Sequence, residues 1–156
     1  MANSEETEYE QIQLSFFGSV KAAPCVIEGG STMSVDLGKK LQMRFLNQPG
    51  AASSWVEFAM NLINCPNSTT EVTATYSGAP SESGDRYANT GTARNVDIEL
   101  QRADGQNLGN GKTYIVAVNP VTAAASLAMR ARVYTAAGNA TAGTINGTVS
   151  ISLTYK

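Results

Sequence analysis

Apolar and polar residues alternate in short runs along most of this chain. Near the front, Ile12, Leu14, Phe16, Gly18 and Val20 occupy every second position; at the far end Ile145, Gly147, Val149, Ile151, Leu153 and Tyr155 do the same, up to Lys156. A period of two puts each set on one face of an extended segment, so each predicts a β-strand with one apolar side. Between them, Met33, Val35 and Leu37 predict a short strand ended by Gly38. Val56, Phe58, Met60 and Leu62 predict a strand running into Cys65-Pro66, and Val72, Ala74 and Tyr76 the next. Val96, Ile98 and Leu100 alternate with Asp97, Glu99 and Gln101; Tyr114, Val116 and Val118 lead to Pro120; Leu127, Met129, Ala131 and Val133 alternate with Arg130, Arg132 and Tyr134.

Turn chemistry separates these runs. Gly29-Gly30-Ser31, residues 47–54, Asp104-Gly105, Asn110-Gly111 and Gly138-Asn139 are all turn or loop signals. Residues 77–92, rich in Gly, Ser, Pro and Asn, read as a long exposed loop. The alanine-rich stretch 122–128 has some helical character, but its flanks are strand-like. Short strands with turns between them and no convincing helix predict an all-β sandwich. At 156 residues the chain makes one domain with a normal core.

Composition narrows the function classes. Charged residues are few, and the formal net charge is −2 with no basic stripe, which argues against nucleic acid or an anionic membrane as partner. No apolar run approaches the roughly 20 residues of a membrane-spanning helix. The two cysteines, Cys25 and Cys65, in a β-rich, weakly charged chain read as a disulfide in an oxidising compartment, with two buried thiols as the alternative. Such a bond closes a loop of roughly 40 residues, worth about 4 kcal/mol in the chain-entropy description. Met1 is followed by polar and acidic residues rather than a signal peptide, so the chain reads as a mature form with an added start methionine. Residues 1–10 read as a flexible acidic tail.

Candidate chemistry is sparse. There is no histidine, which removes the commonest general base and most catalytic triads. Two cysteines alone give too few soft ligands for a metal site. Asp97 and Glu99 share a strand face but alternate with a core face and read as solvated; Asp85 and Asp104 fall in turns. Gly109-Asn110-Gly111 lacks the strand–turn–helix setting of a phosphate loop. Arg130 and Arg132 read as a solvent-facing basic pair, and Trp55 as core or loop packing rather than a sugar platform. Asn67-Ser68-Thr69, Asn139-Ala140-Thr141 and Asn146-Gly147-Thr148 match the glycosylation pattern, a chance outcome in a threonine-rich chain. No catalytic residue, cofactor, metal or small-molecule substrate is expected.

Five features in order resemble the subunits of chaperone–usher fimbriae. Gly18 stands seven residues before Cys25; Val35-Asp36-Leu37-Gly38 follows that cysteine; Gly50-Ala51-Ala52-Ser53-Ser54-Trp55 and Asn64-Cys65-Pro66 surround the second one. The run Thr90 to Leu100 resembles the central strand of that family, and Gly143, fourteenth from the end, with penultimate Tyr155 resembles its C-terminal signature. The resemblance covers about residues 12–156 and is greatest to the minor tip-fibrillum subunits of type 1 pili. Residues 1–10 exceed the usual N-terminal arm, and Phe16-Phe17 is bulkier than many donor strands.

The resemblance implies an immunoglobulin-like sandwich lacking its last strand, with residues 1–22 as a donor arm and 23–156 as the pilin domain. Ile12, Leu14, Phe16, Gly18 and Val20 would be the donated strand. Gly143, Ile145, Val149, Ile151, Leu153, Tyr155 and Lys156 would border the groove and meet a periplasmic chaperone, with the carboxylate of Lys156 against basic chaperone groups. The arm of a neighbouring subunit would then replace the chaperone at the outer-membrane usher, a mode of recognition by strand addition. The implied role is a structural subunit of an extracellular fimbrium, a minor linker between adhesin and rod. A major rod pilin and a self-sufficient secreted binding module stand as alternatives. Read without the resemblance, the first run is an ordinary opening strand and the last an edge or core strand of the same domain.

Overall fold

The computed structural model describes residues 11–20, 23–39 and 41–156. The tail expected at 1–10 and the end of the arm at residues 21 and 22 lie outside the described residues. Among the described residues there are eight strands, β1 (Val26–Ile27), β2 (Val56–Ile63), β3 (Glu71–Gly78), β4 (Tyr87–Ala88), β5 (Asp97–Arg102), β6 (Thr113–Ala117), β7 (Ala125–Tyr134) and β8 (Val149–Tyr155), and one 3-10 turn at Met43–Phe45. They form a five-stranded sheet in the order β1-β2-β7-β5-β4 and a three-stranded sheet in the order β6-β3-β8. Every pairing is antiparallel.

The alternation in the sequence becomes the inner face of each sheet. Leu127, Met129, Ala131 and Val133 of β7 are buried, and Ser126, Ala128, Arg130, Arg132 and Tyr134 point the other way. Ala74 and Tyr76 of β3 and Tyr114 of β6 pack against Leu100 of β5 and Leu127 and Met129 of β7, so the main core lies between the sheets. A second cluster joins Leu62, Val72, Val118 and Ala125 around the Cys25–Cys65 disulfide, which is formed. A third gathers Leu46, Ala93, Val96, Val133 and Ala140 at the opposite end.

Several expectations are corrected. Residues 33–37 are not a hydrogen-bonded strand, because no strand among the described residues pairs with them; only Val35 and Leu37 are half-buried. Residues 77–92 are not wholly an exposed loop. β3 runs to Gly78, Tyr87–Ala88 pairs with β5, and Tyr87 is fully buried, its hydroxyl donating to the Leu108 carbonyl at 2.7 Å. The last strand begins at Val149, not Ile145. Residues 144 and 146 instead accept bonds from the backbone of Ala93 and Thr90. Residues 120–123 form a turn, closed by the Asn119–Ala124 bridge, and the alanine-rich stretch continues into β7, as its strand-like flanks suggested.

The outer face of the five-stranded sheet differs most from its sequence reading. Glu99 is not solvated: its side chain is 9% exposed and meets the Arg132 guanidinium at 3.0 Å. Arg130 and Arg132 are not free cations, since both lie over the Trp55 ring, at 4.2 and 4.0 Å from its centroid. Arg130 also donates to Gln101 Oε1. Trp55, half-buried in the loop before β2, therefore packs against two guanidinium groups of β7, which is the loop packing rather than the core packing of its sequence reading.

Candidate strand-binding groove

The two sheets do not close on each other along one side. An elongated cleft of about 1530 Å³ opens there, larger than a typical small-molecule pocket. One wall is the segment from Ser31 to Lys39 and the other is Ala140 to Leu153. Phe58 and Met60 of β2, Ile98 and Leu100 of β5, and Met129 and Ala131 of β7 line its floor.

Both walls present unpaired backbone. β8 pairs with β3 from Val149↔Gly78 to Tyr155↔Val72 and, among the described residues, with no other strand. Its outer edge is thus a row of open N–H and C=O groups. Across the cleft, residues 31–37 make no backbone–backbone hydrogen bond among the described residues, and the Gly38 N–H turns locally to Asp36 Oδ1. A backbone that neither helix nor sheet satisfies is stable only where water or another strand can reach it.

The side chains are likewise half finished. Val149, Ile151 and Leu153 alternate with exposed Ser150, Ser152 and Thr154, as expected of one inner face, yet they are only half-buried. They pack on the main core from one side and border the cleft on the other. Phe58, Met60 and Ile98 are half-buried for the same reason. The floor itself is held from beneath by buried phenols. Tyr76 contacts Met129 Sδ at 3.1 Å, and burial, with Tyr114 and Tyr87 nearby, pushes its hydroxyl well above the ordinary tyrosine range. Burial pushes the Tyr87 hydroxyl up to about 12.

Of the expected C-terminal residues, Val149, Ile151 and Leu153 line this cleft together with Ile145 and Gly143. Tyr155 packs instead on the disulfide cluster. The Lys156 carbonyl accepts the backbone N–H groups of Thr70 and Glu71, which ties this end to the start of β3. The expected arm is elsewhere. Ile12, Leu14, Phe16 and Val20 are all strongly exposed, Leu14 least at 75%, and nothing lies within 4 Å of the position a Cβ on Gly18 would take. No residue from 11 to 20 pairs with a strand of the sandwich. All of residues 11–20 are exposed alike, so neither side of the expected alternation is buried, and among the described residues the segment has no strand partner. The floor residues Phe58, Met60 and Ile98 were not legible as groove residues. They alternate like any core face, and only the gap between the sheets sets them apart.

Comparison with known proteins agrees with this geometry. The profile of the Fimbrial protein family matches residues 14–156. The chain is 38% identical over 144 residues to protein FimG of Escherichia coli, covering 92% of this chain and 84% of FimG. It is 33% identical over 138 residues to the S-fimbrial adhesin protein SfaS of Escherichia coli, covering 88% of this chain and 81% of SfaS. Among solved structures, the P pilus rod subunit PapA superposes with a TM-score of 0.70 at 22% identity, over 86% of this chain and all 100% of that one. The chain belongs to the Fimbrial protein family: it is a chaperone–usher pilus subunit with an incomplete immunoglobulin-like sandwich, not an enzyme.

Proposed function

We propose that the cleft is the acceptor for a β-strand from a neighbouring pilus subunit, and that Ile12, Leu14, Phe16, Gly18 and Val20 are the strand this chain gives in turn. The observation that carries the reading is the open edge of β8, whose inner side chains Val149, Ile151 and Leu153 stop half-buried where they border the cleft. An inserted strand would satisfy that edge and seat alternate side chains on the floor. Burying Ile12, Leu14, Phe16 and Val20 in such a groove contributes on the order of 10 kcal/mol before ordering costs. Residues 1–22 then act as the arm and 23–156 as the domain.

An open groove is an aggregation hazard, so a periplasmic chaperone is the first occupant in this scheme, held by the segment from Gly143 to Lys156. The outer-membrane usher is where the arm of the next subunit replaces it, and the product is an extracellular fimbrium on a Gram-negative cell. We assign the chain to a minor position linking adhesin and rod, the position implied by its resemblance to tip-fibrillum subunits. The test replaces Gly18 by tryptophan and follows transfer of the arm into a chaperone-held acceptor subunit. Loss of polymerisation with an unchanged fold is expected. Polymerisation at the rate of the unaltered chain would sink the donor assignment.

A further inference from the structure

We propose that Asn146 is a self-modification site, the residue at which this chain deamidates, and that the lip of the groove is where the change falls. The chain holds two Asn-Gly pairs, Asn110-Gly111 and Asn146-Gly147. In such a pair the backbone nitrogen of the glycine can attack the side-chain carbonyl of the asparagine, since no Cβ shields it. The new N–Cγ bond closes a five-membered succinimide and the amide leaves as ammonia. Water then opens the ring at either carbonyl. Attack at Cγ yields aspartate, and attack at the main-chain carbonyl yields isoaspartate, in which the chain runs through Cβ and Cγ. The net reaction consumes one water, releases one ammonia and involves no redox step.

The fold treats the two pairs differently. In the connection that crosses from β5 to β6 in the other sheet, the Gly111 N–H donates to the Tyr76 carbonyl at 2.7 Å, and Asn110 Oδ1 accepts the Gly78 N–H at 3.1 Å. Nucleophile and electrophile are both engaged, on a strand whose Tyr76 is fully buried. Asn146 is anchored only through its main chain. Its N–H donates to Asn89 Oδ1, and its carbonyl accepts the Thr90 N–H and hydroxyl. Among the described residues, the Asn146 side-chain amide and the Gly147 N–H make no hydrogen bond, and both residues are exposed and irregular. Sequence alone makes the pairs equivalent; the tertiary structure leaves one free to react.

The position gives the change a consequence. Gly147 lies against Ile98 of the groove floor, where a Cβ would overlap the Ile98 Cδ1 methyl unless that methyl moved, and β8 begins two residues later. Isoaspartate at 146 inserts one extra backbone carbon at this point and adds a carboxylate to a wall of the cleft.

Peptide mass mapping of the full chain, incubated in mildly alkaline buffer, tests this. The expected result is conversion at Asn146 about tenfold faster than at Asn110, the factor one retained hydrogen bond of ordinary strength implies. An isoaspartate fraction should be present, since direct hydrolysis of the amide yields none. The urea-unfolded chain should convert both sites at similar rates, and Asn146→Gln should abolish the change at that site while Asn110 is unaffected. Equal native rates at both sites, or aspartate without isoaspartate at Asn146, overturn the proposal. The test is made on the chain with its groove unfilled, because Asn146 and Gly147 line the cleft that an inserted strand would enter, and its outcome does not depend on which strand that is.

Discussion

Ile98 carries its Cδ1 methyl against Gly147 so closely that a Cβ on residue 147 would overlap it. The contact joins the floor of the cleft to the irregular segment that leads into β8. Gly147 is not in the left-handed backbone region, so space rather than conformation demands glycine here. The opposing atom is the end of a flexible side chain, and Gly147→Ala is therefore expected to destabilise by about 1–2 kcal/mol rather than prevent folding. Ile98→Val removes the methyl at a cost of about 1 kcal/mol. Urea titrations of both variants and the double variant measure the coupling. The double variant should be more stable than the sum of the two losses by at least about 0.5 kcal/mol, and strict additivity would contradict the contact.

A synthetic peptide spanning residues 11–20, added to a chain truncated before Cys25, should raise the midpoint of thermal unfolding with increasing peptide concentration, as linkage requires of a ligand bound only by the folded state. At a hundredfold excess over its dissociation constant the gain is about 2.7 kcal/mol. Ile151→Ser, which removes a half-buried side chain bordering the cleft, should weaken the effect. A peptide that leaves the midpoint unmoved at every concentration argues against the arm as a ligand of this groove.

Stability should fall on the alkaline side through Tyr87. Its hydroxyl is raised from 10.0 to about 12 in the folded chain by burial. Between those values the unfolded state has lost its proton while the folded state keeps it, so unfolding becomes more favourable as pH rises from about 10 to about 12. The loss from this group is roughly 1–3 kcal/mol. Tyr87→Phe also deletes the bond to the Leu108 carbonyl, about 1 kcal/mol at neutral pH, but its stability should fall less steeply above pH about 10. Parallel urea titrations across that range check the difference in slope.

The Trp55 stack predicts an order of losses. Trp55→Ala removes the ring from Arg130 and Arg132 and should cost about 1–2 kcal/mol. Arg132→Ala should cost more, about 3 kcal/mol, because it also strands the largely buried Glu99 carboxylate. Arg132→Lys should recover part of the charge but not the planar stacking. Chemical unfolding of the three variants ranks them, and an Arg132→Ala loss below that of Trp55→Ala would mean Glu99 finds water instead.

Replacing Cys25 and Cys65 with alanine opens a loop spanning a sequence separation of 40 and is expected to lower stability by about 4 kcal/mol. Reduction of the unaltered chain should give a comparable drop by circular dichroism, while the double variant should be insensitive to reductant.

Most of the sandwich was legible from alternation. Leu127 to Val133 and Val72 to Tyr76 read as strands because one face is buried and the other is not, and a period of two records that difference. The two-residue strand Tyr87–Ala88 left no such record, being too short to show a period and set in a polar stretch. Glu99 read as solvated because its neighbours in sequence say nothing of Arg132, which β5–β7 pairing places opposite it. Trp55 gained its two guanidinium neighbours in the same way, from side chains of β7.

By itself the sequence determined the class of fold and the apolar face of β8, which are written in local spacing, and the disulfide, which the cysteine count and composition implied. Only the tertiary structure decided that the sheets stay apart along one side, that Phe58, Met60 and Ile98 form a floor, and that residues 33–37 face β8 across the cleft with no strand of the described residues between them. A missing strand leaves no mark in local spacing: its absence appears only when the hydrogen bonds and buried faces of every other strand have been assigned, and one edge is left without a partner.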